Sequence, residues 1–225
     1  MRWLVACVLV LAWGSVPAAT AVPPSASAEN GRWRVGAEGP MVAVYDRGVR
    51  VKALAAASLD GHERSAVAAI HYLSARRSFV VAFETLPELW ELSVDPLAAP
   101  IFDGLVHDYR FGEGLGEPGY LGARRTRLES PLRELAFDDS GAYVIGRTPA
   151  GPGAPAVLHL VQLDVRRTIG RFTVAGDPDL ATAQTLQQGA DKLLRIPDRQ
   201  GGAPTLVDLR RAQLIEPTGE SRPAR

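Results

Sequence analysis

Cysteine is almost absent from this sequence. The 225 residues include a single cysteine, Cys7, which lies in an apolar N-terminal segment of the kind that is removed during export. A mature chain without cysteine has no disulfide, no thiol nucleophile and no cysteine metal ligand. It also has no C-x-x-C-H motif, which excludes a covalently attached c-type haem.

An excess of charge of either sign is also missing. The chain has 25 lysine and arginine residues against 25 aspartate and glutamate residues, and its net charge at pH 7 is zero. It therefore lacks the basic surplus that binding to nucleic acid requires. Lysine itself is scarce, with only Lys52 and Lys192 present. The resulting arginine bias fits either the composition of the source or recognition of anionic groups.

Familiar catalytic motifs are missing as well. The sequence has no G-x-S-x-G elbow, no H-E-x-x-H helix, no Walker loop and no paired-cysteine metal site. A G-x-G-x-x-G pattern occurs at residues 114–119, but Pro118 interrupts it and no strand precedes it. A dinucleotide fingerprint needs a strand before it and a helix after it, so this match indicates a flexible loop.

Long apolar runs are confined to the N-terminus. Arg2, the apolar stretch Leu4–Trp13 and the small residues of Ala19-Thr20-Ala21 together predict a signal peptide that is cleaved before Val22. A competing site at residues 26–28 would start the mature chain at Glu29. No later stretch approaches the roughly 20 apolar residues of a membrane-spanning helix. We therefore expect a periplasmic or secreted product without a transmembrane helix in the mature chain.

Past residue 40 the sequence predicts many short strands separated by turn residues. Helical periodicity is weak, and residues 181–188 are the one later segment that suggests a helix. The strand-ending residues Asp46, Asp95, Asp164 and Asp208 are 49, 69 and 44 residues apart. Removing about 25 residues from the long gap restores a period of roughly 44, which is typical of propeller blades with four strands each.

We therefore predict an all-β fold of β-propeller-like repeats, with three to four blades and an incomplete ring; a β-sandwich is the alternative. The predicted organisation has a signal peptide, a linker, a propeller region with a loop insertion, and a disordered tail. Their residues are 1–21, 22–40, 41–216 with the insertion at 97–130, and 217–225. Within the repeats, alternation predicts that Trp90 faces inward.

Three stretches of the sequence resemble the cytochrome d1-haem domain family. They are RRSFVVAFETLPELWELSVDP (76–96), FDGLVHDY (102–109) and LRELAFDDSGAYVIGRT (132–148). The family includes the eight-bladed propeller of cytochrome cd1 nitrite reductase and its relatives in haem d1 assembly. The resemblance covers about residues 41–216, which is about half the length that an eight-bladed ring needs. It therefore implies either that a second propeller half, a homodimer or an operon-encoded partner completes the ring, or that the chain is a decayed remnant that packs differently.

The sequence departs from the family at two positions. The family has a histidine in the turn before the Phe-Val strand, where this chain has Ala75-Arg76, and a Pro-His-Leu-Gly-Ser element where it has Pro178-Asp179. Neither replacement can act as a neutral imidazole. The resemblance therefore favours an exported non-catalytic propeller that binds a tetrapyrrole or a protein partner in nitrite respiration or haem d1 assembly. A haem d1-dependent nitrite reductase-like enzyme and a generic protein-interaction propeller fragment are the alternatives.

The insertion supplies the candidate binding residues. His107 lies where the strand pattern gives way to the insertion, and Arg124, Arg125 and Arg127 form a basic cluster behind it. Guanidinium groups pair with carboxylates through two parallel hydrogen bonds. We therefore expect these four residues to hold an acid-rich tetrapyrrole such as haem d1, with no catalytic residue and no separate metal site.

Other polar residues are interpreted as structural. His71 and His159 alternate with apolar residues along strands, which predicts core or rim positions rather than ligands. Glu84, Glu88 and Glu91 are interspersed with apolar residues, and their spacing suggests one solvated surface of a sheet.

Overall fold

The computed structural model describes residues 23–102, 116–148 and 154–215. These residues form four antiparallel sheets of four strands each, and every sheet is built from strands that are consecutive in the chain. We call the sheets blades 1 to 4 in chain order. The prediction of four-stranded propeller blades is confirmed, and the described residues contain four of them rather than three.

The strands are numbered in chain order. Blade 1 consists of β1 (Ser25–Ala28), β2 (Trp33–Glu38), β3 (Met41–Asp46) and β4 (Val49–Ala55). Blade 2 consists of β5 (Val67–Leu73), β6 (Ser78–Phe83), β7 (Glu88–Ser93) and β8 (Ala123–Arg127). Blade 3 consists of β9 (Glu134–Phe137), β10 (Tyr143–Arg147), β11 (Ala156–Gln162) and β12 (Arg167–Val174). Blade 4 consists of β13 (Gln184–Gln188), β14 (Asp191–Ile196), β15 (Thr205–Asp208) and β16 (Gln213–Ile215).

The repeat is marked by the four strand-ending aspartates, which lie at or just after the third strand of their blades. At two of these aspartates the carboxylate accepts hydrogen bonds from the turn that follows. Asp208 accepts from the backbone N–H groups of Arg210 and Arg211, each at 2.9 Å, and Asp95 accepts from that of Leu97 at 3.1 Å. An aspartate that bonds the backbone two residues ahead favours a turn, so the period read from these residues reflects the blades.

Three apolar cores lie between successive blades. The first joins blades 1 and 2 around Trp33 and Trp90, the second joins blades 2 and 3 around Val80 and Val144, and the third joins blades 3 and 4. Within the described residues no apolar core joins blade 4 to blade 1. The ring is therefore open, and this succession of blade interfaces differs from the two packed layers of a β-sandwich.

The interior blades are buried on both faces. Trp90 is fully buried and packs on Phe83 in the core between blades 1 and 2, with the ring centroids 4.7 Å apart. Its neighbour Leu89 is equally buried but lies in the core between blades 2 and 3. Strands that are covered on both faces have near-continuous apolar sequences, which explains the run along β6 and β7.

Two segment boundaries and one helix predicted from the sequence are wrong. The expected linker 22–40 contains β1 and β2, and the expected insertion 97–130 contains β8. Residues 181–188 are not helical, because they hold the end of a 3₁₀ turn and then β13. In β2 a charged residue separates Trp33 from Val35, and three of the five residues of β8 are arginines. Pairing with neighbouring strands, rather than side-chain hydrophobicity, makes these segments extended.

The remaining segments lie outside the described residues, namely 1–22, 103–115, 149–153 and 216–225. The predicted signal peptide, the predicted C-terminal tail and His107 fall there and stay predictions. In the described part of the chain, no helix is long and apolar enough to cross a membrane.

Candidate functional site: a cleft beside the insertion

Two rims border the blades. In each blade the turn between the first and second strands and the turn between the third and fourth strands lie at the same end of the sheet, because consecutive strands are antiparallel. The insertion connects β7 to β8, so it belongs to this end, which we call the insertion rim. The other connections form the opposite rim.

A cleft of about 350 Å³ lies at the insertion rim of blade 2. Its wall is formed by the turn before β6, the end of β7 and the two ends of the insertion. The residues that line it are Ala75, Arg76, Glu91, Ser93, Asp95, Ala98, Ala99, Ile101, Gly119 and Arg124. Backbone hydrogen bonds between Ile101 and Glu117, at 2.8 and 2.9 Å, hold the two ends of the insertion together. This volume is at the lower end of the range for small-molecule pockets.

Arg76 forms one side of the cleft, and its guanidinium is paired with two carboxylates. Its guanidinium donates to both carboxylate oxygens of Glu91, at 2.8 and 3.2 Å, and to Asp164 of the next blade at 2.7 Å. Ser78 donates a further hydrogen bond to Glu91 at 2.8 Å. Burial lowers the pKa of Arg76, but the hydrogen bonds to Glu91 and Asp164 outweigh it and hold this pKa above its usual range. Arg76 therefore joins blades 2 and 3 and has little capacity left for a ligand.

Arg124 forms the other side of the cleft, and no carboxylate of the described residues pairs with it. Its side chain is half-buried, and its guanidinium donates to the carbonyl oxygen of Ala99 at a long 3.5 Å. Among the described residues it forms no ion pair. Most of its five donors are therefore available to an anion in the cleft.

Arg125 has a structural role on the other face of the same strand. It donates to Glu88 at 3.0 Å and to the carbonyl oxygen of Ala57 at 2.8 Å, and it lies over the ring of Trp90 at 4.3 Å. Trp90 donates its indole N–H to Glu88 at 2.8 Å. Arg125 thus satisfies a buried carboxylate between blades 1 and 2, where an unpaired charge would be costly.

The predicted arginine cluster does not form, because successive side chains of a strand point to opposite faces. Arg124 faces the cleft, Arg125 faces blade 1, and the exposed Arg127 lies at the other end of β8 beside Asp60 and Glu63. His107, the fourth predicted residue, lies outside the described residues. Of the predicted site, the structure therefore brings only Arg124 to the cleft.

Two of the three glutamates that suggested a solvated surface are buried instead. Glu88 and Glu91 are 7% and 9% exposed, and each is paired with an arginine. Glu84 is more exposed and bridges to Arg133 of the next blade at 2.7 Å. The sequence offered one signal for these pairs, since Glu88 and Glu91 lie in a strand of otherwise apolar residues, where only a paired charge is stable.

The two strand histidines lie between blades 2 and 3. His71 packs on Phe137 with the ring centroids 5.2 Å apart, and His159 is 2% exposed with no hydrogen bond to its Nε2 atom. Burial lowers the pKa of both histidines, and nearby Arg171 lowers that of His159 further. Both positions agree with the predicted core or rim placement.

The two positions where the family has histidine carry residues with structural contacts. Arg76 links blade 2 to blade 3, as described above. Asp179 precedes the 3₁₀ turn Leu180–Thr182 and accepts hydrogen bonds from Ala181 at 3.3 Å and from the Thr182 hydroxyl at 2.8 Å. Within the described residues, no three histidine, cysteine, aspartate or glutamate side chains form a metal-binding group.

No family model matches the sequence, and no curated protein matches it. Among solved structures, the fold is similar to that of dihydro-haem d1 dehydrogenase NirN in complex with DHE, with a TM-score of 0.63 and 21% identity. This match covers 85% of the chain but only 36% of NirN. The chain is a β-propeller.

Two further solved structures are similar in fold at lower identity. Hydrazine synthase from Kuenenia stuttgartiensis has a TM-score of 0.50 and 10% identity, with 85% of this chain covering 53% of that one. The β-propeller domain of Myceliophteria thermophila Cps50 (Swd1) has a TM-score of 0.51 and 11% identity, with 82% of this chain covering 52% of that domain. The four blades thus correspond to about half of a propeller domain.

Proposed function

We propose that this propeller is an exported, non-catalytic binding protein of the cytochrome d1-haem domain type, and that its ligand is a carboxylate-bearing tetrapyrrole. The observation that carries the proposal is Arg124, a half-buried guanidinium that faces a cleft and has no carboxylate partner among the described residues. The similarity of the fold to that of NirN, which was solved with DHE, supports this choice of ligand class.

The cleft fits one edge of a tetrapyrrole rather than the whole macrocycle, because its volume is about 350 Å³. A carboxylate substituent that enters it would pair with the guanidinium of Arg124. The described lining residues include no imidazole or thiolate, so we derive no metal coordination from them. When bound, an iron tetrapyrrole would supply redox chemistry, but the residues at positions 75, 76 and 179 favour binding without nitrite reduction.

The test is a titration of the purified protein with coproporphyrin, a tetracarboxylate porphyrin, followed by absorbance and by quenching of tryptophan fluorescence. A charge-assisted hydrogen bond contributes about 1.5–3 kcal/mol, so Arg124→Ala should weaken binding roughly tenfold or more. Arg127→Ala removes the same charge from the other end of the strand and should leave the affinity unchanged. Affinity of the wild type should also fall as the salt concentration rises.

Three outcomes would contradict the proposal. Equal affinities of the wild type and Arg124→Ala would remove the cleft as the site, and no binding by the wild type would remove the ligand class. Nitrite turnover by the protein loaded with haem d1 would favour the reductase alternative instead.

A protein-binding role is the second candidate, and the observation that favours it is Leu186 on blade 4, a large apolar side chain that is 37% exposed. In the described residues no other blade covers it.

A further inference from the structure

Glu91 lies within reach of two arginines of the cleft. In the pairing of β7 with β8 it is directly opposite Arg124, so the two side chains lie on the same face of the sheet, with their Cβ atoms roughly 5 Å apart. Among the described residues, however, no ion pair joins them. The guanidinium of Arg124 is turned to the carbonyl oxygen of Ala99 instead. The cross-strand ion pair that this sheet offers is therefore not formed.

The pair is not formed because Arg76 already occupies Glu91. Arg76 donates from Nε to Oε1 at 2.8 Å and from Nη2 to Oε2 at 3.2 Å, which are the two parallel hydrogen bonds that guanidinium and carboxylate groups favour. Ser78 donates to Oε1 at 2.8 Å. Three hydrogen bonds thus satisfy a carboxylate that is only 9% exposed, and Arg124 is not needed to neutralise it.

The stacking of blades 2 and 3 holds Arg76 in this position. Arg76 ends the 3₁₀ turn Ser74–Arg76 just before β6, and its Nη1 atom donates to Asp164 of blade 3 at 2.7 Å. Strand pairing alone would present Glu91 to Arg124. The turn before β6, fixed against the next blade, presents Glu91 to Arg76 instead.

We propose that Arg76 is a positioning residue of the cleft, which acts by occupying Glu91 and thereby keeps Arg124 available to an anion. The inference rests on the proposed function, since the anion is the carboxylate of the proposed tetrapyrrole. Without Arg76, Glu91 would be a buried carboxylate with Ser78 as its remaining partner, which is costly. The guanidinium of Arg124 would then turn from Ala99 to Glu91, and the cleft would lose its anion-binding group although Arg124 is still present.

Titration with coproporphyrin tests this relation through three variants. Arg76→Gln should weaken binding roughly tenfold, as Arg124→Ala does, because each removes a charge-assisted hydrogen bond to the ligand. Glu91→Gln should bind more tightly than the wild type, since the cleft loses a negative charge. The double variant should recover to within roughly threefold of the wild-type affinity, because the effect of Arg76 passes through Glu91. If Arg76 merely stabilised the blades, the second substitution would not restore binding.

Two further variants serve as controls. Asp164→Asn changes the other carboxylate on Arg76, at a side chain that is 54% exposed, but keeps the pair with Glu91 and should bind like the wild type. Arg76→Lys keeps a cation beside Glu91 without the two parallel hydrogen bonds. It should therefore lose less affinity than Arg76→Gln, and Glu91→Gln should reverse that loss too, which preserves the test if Arg76→Gln does not fold. Circular dichroism of each variant checks that the blades are folded.

Chemical modification reports on Arg124 without any ligand. Phenylglyoxal condenses with guanidinium groups, and a guanidinium that is paired with a carboxylate through two hydrogen bonds is shielded from it. Mass spectrometry of peptides from the modified protein measures the rate at each arginine. In the wild type, Arg124 should react several-fold faster than Arg76. In Arg76→Gln the rate at Arg124 should fall, and in the double variant with Glu91→Gln it should return.

The two readouts separate this inference from the proposed ligand. If the wild type binds no porphyrin while the reactivity of Arg124 follows the expected order, only the proposed function is wrong. If the wild type binds porphyrin but Arg76→Gln changes neither the affinity nor the reactivity of Arg124, Arg76 does not position Arg124. A double variant that stays as weak as Arg76→Gln would also overturn the inference, because Arg76 would then act by another route than Glu91.

Discussion

Replacing Trp90 with alanine tests the packing of blade 2 against blade 1. The side chain is fully buried, its ring packs on Phe83 at 4.7 Å and beneath the Arg125 guanidinium at 4.3 Å, and its N–H donates to Glu88 at 2.8 Å. The substitution therefore opens a large cavity between two blades and also removes one donor from a buried carboxylate.

The expected magnitude follows from these contacts. Truncation of a fully buried tryptophan to alanine costs about 3–5 kcal/mol, because the apolar contacts are lost and the cavity relaxes only in part. Loss of the hydrogen bond to Glu88 is included in that range, since Arg125 still pairs with the carboxylate. Trp90→Phe keeps most of the ring but lacks the N–H, so we expect a smaller loss of about 1.5–3 kcal/mol, as for a hydrogen bond to a charged group.

Urea denaturation followed by circular dichroism measures both changes from the transition midpoint and slope. Val49→Ala, at a site that is 67% exposed on the edge strand β4, is the control and should change the free energy of unfolding by less than about 0.5 kcal/mol. A loss below about 1 kcal/mol for Trp90→Ala would refute the reasoning, because it would place the side chain at a surface rather than between two blades.

Three further predictions concern pH, packing and export. Burial holds the pKa of His71 and His159 in the folded state below its value in the unfolded chain. Their contribution to stability is therefore present above about pH 6.5 and is lost as the pH falls below that value. Urea midpoints at pH 7.5 and 5.5 should show this loss of stability, and a His159→Gln variant should show a smaller loss. Gly146→Ala should destabilise by about 1–3 kcal/mol, because a Cβ atom there overlaps the buried Leu132; an unchanged urea midpoint would contradict this. The exported protein should begin at Val22, which N-terminal sequencing of the periplasmic fraction would show, whereas a full-length chain retained in the cytoplasm would argue against export.

Much of the fold could be predicted because its signals are local. An aspartate lies at or just after the third strand of each blade, and Asp95 and Asp208 bond to the turn that follows. The spacing of these aspartates therefore indicated the blade period. The strand Ser78–Phe83 shows such a local signal, because an apolar run between polar turns strongly favours a strand. The missed strands β1, β2 and β8 lack that signal, since charged or small residues make up most of each strand.

The candidate site was predicted less well, and β8 shows the reason. Arg124, Arg125 and Arg127 are neighbours in sequence and looked like one cluster, yet strand pleating sends Arg124 and Arg125 to opposite faces of the sheet. The partner of Arg76 is more remote still, because Asp164 lies in another blade, 88 residues away in sequence. Contacts of this kind depend on how blades stack, which no local pattern encodes.

The sequence by itself determined that this chain is a repeat of short strands with the period of a propeller blade. Strand periodicity and turn chemistry act over a few residues, so they can be read without a structure. Only the tertiary structure decided which arginine is paired with a buried carboxylate and which one faces the cleft. Those outcomes depend on what the neighbouring blade places opposite each side chain, because burial makes an unpaired charge costly and a filled apolar face stable.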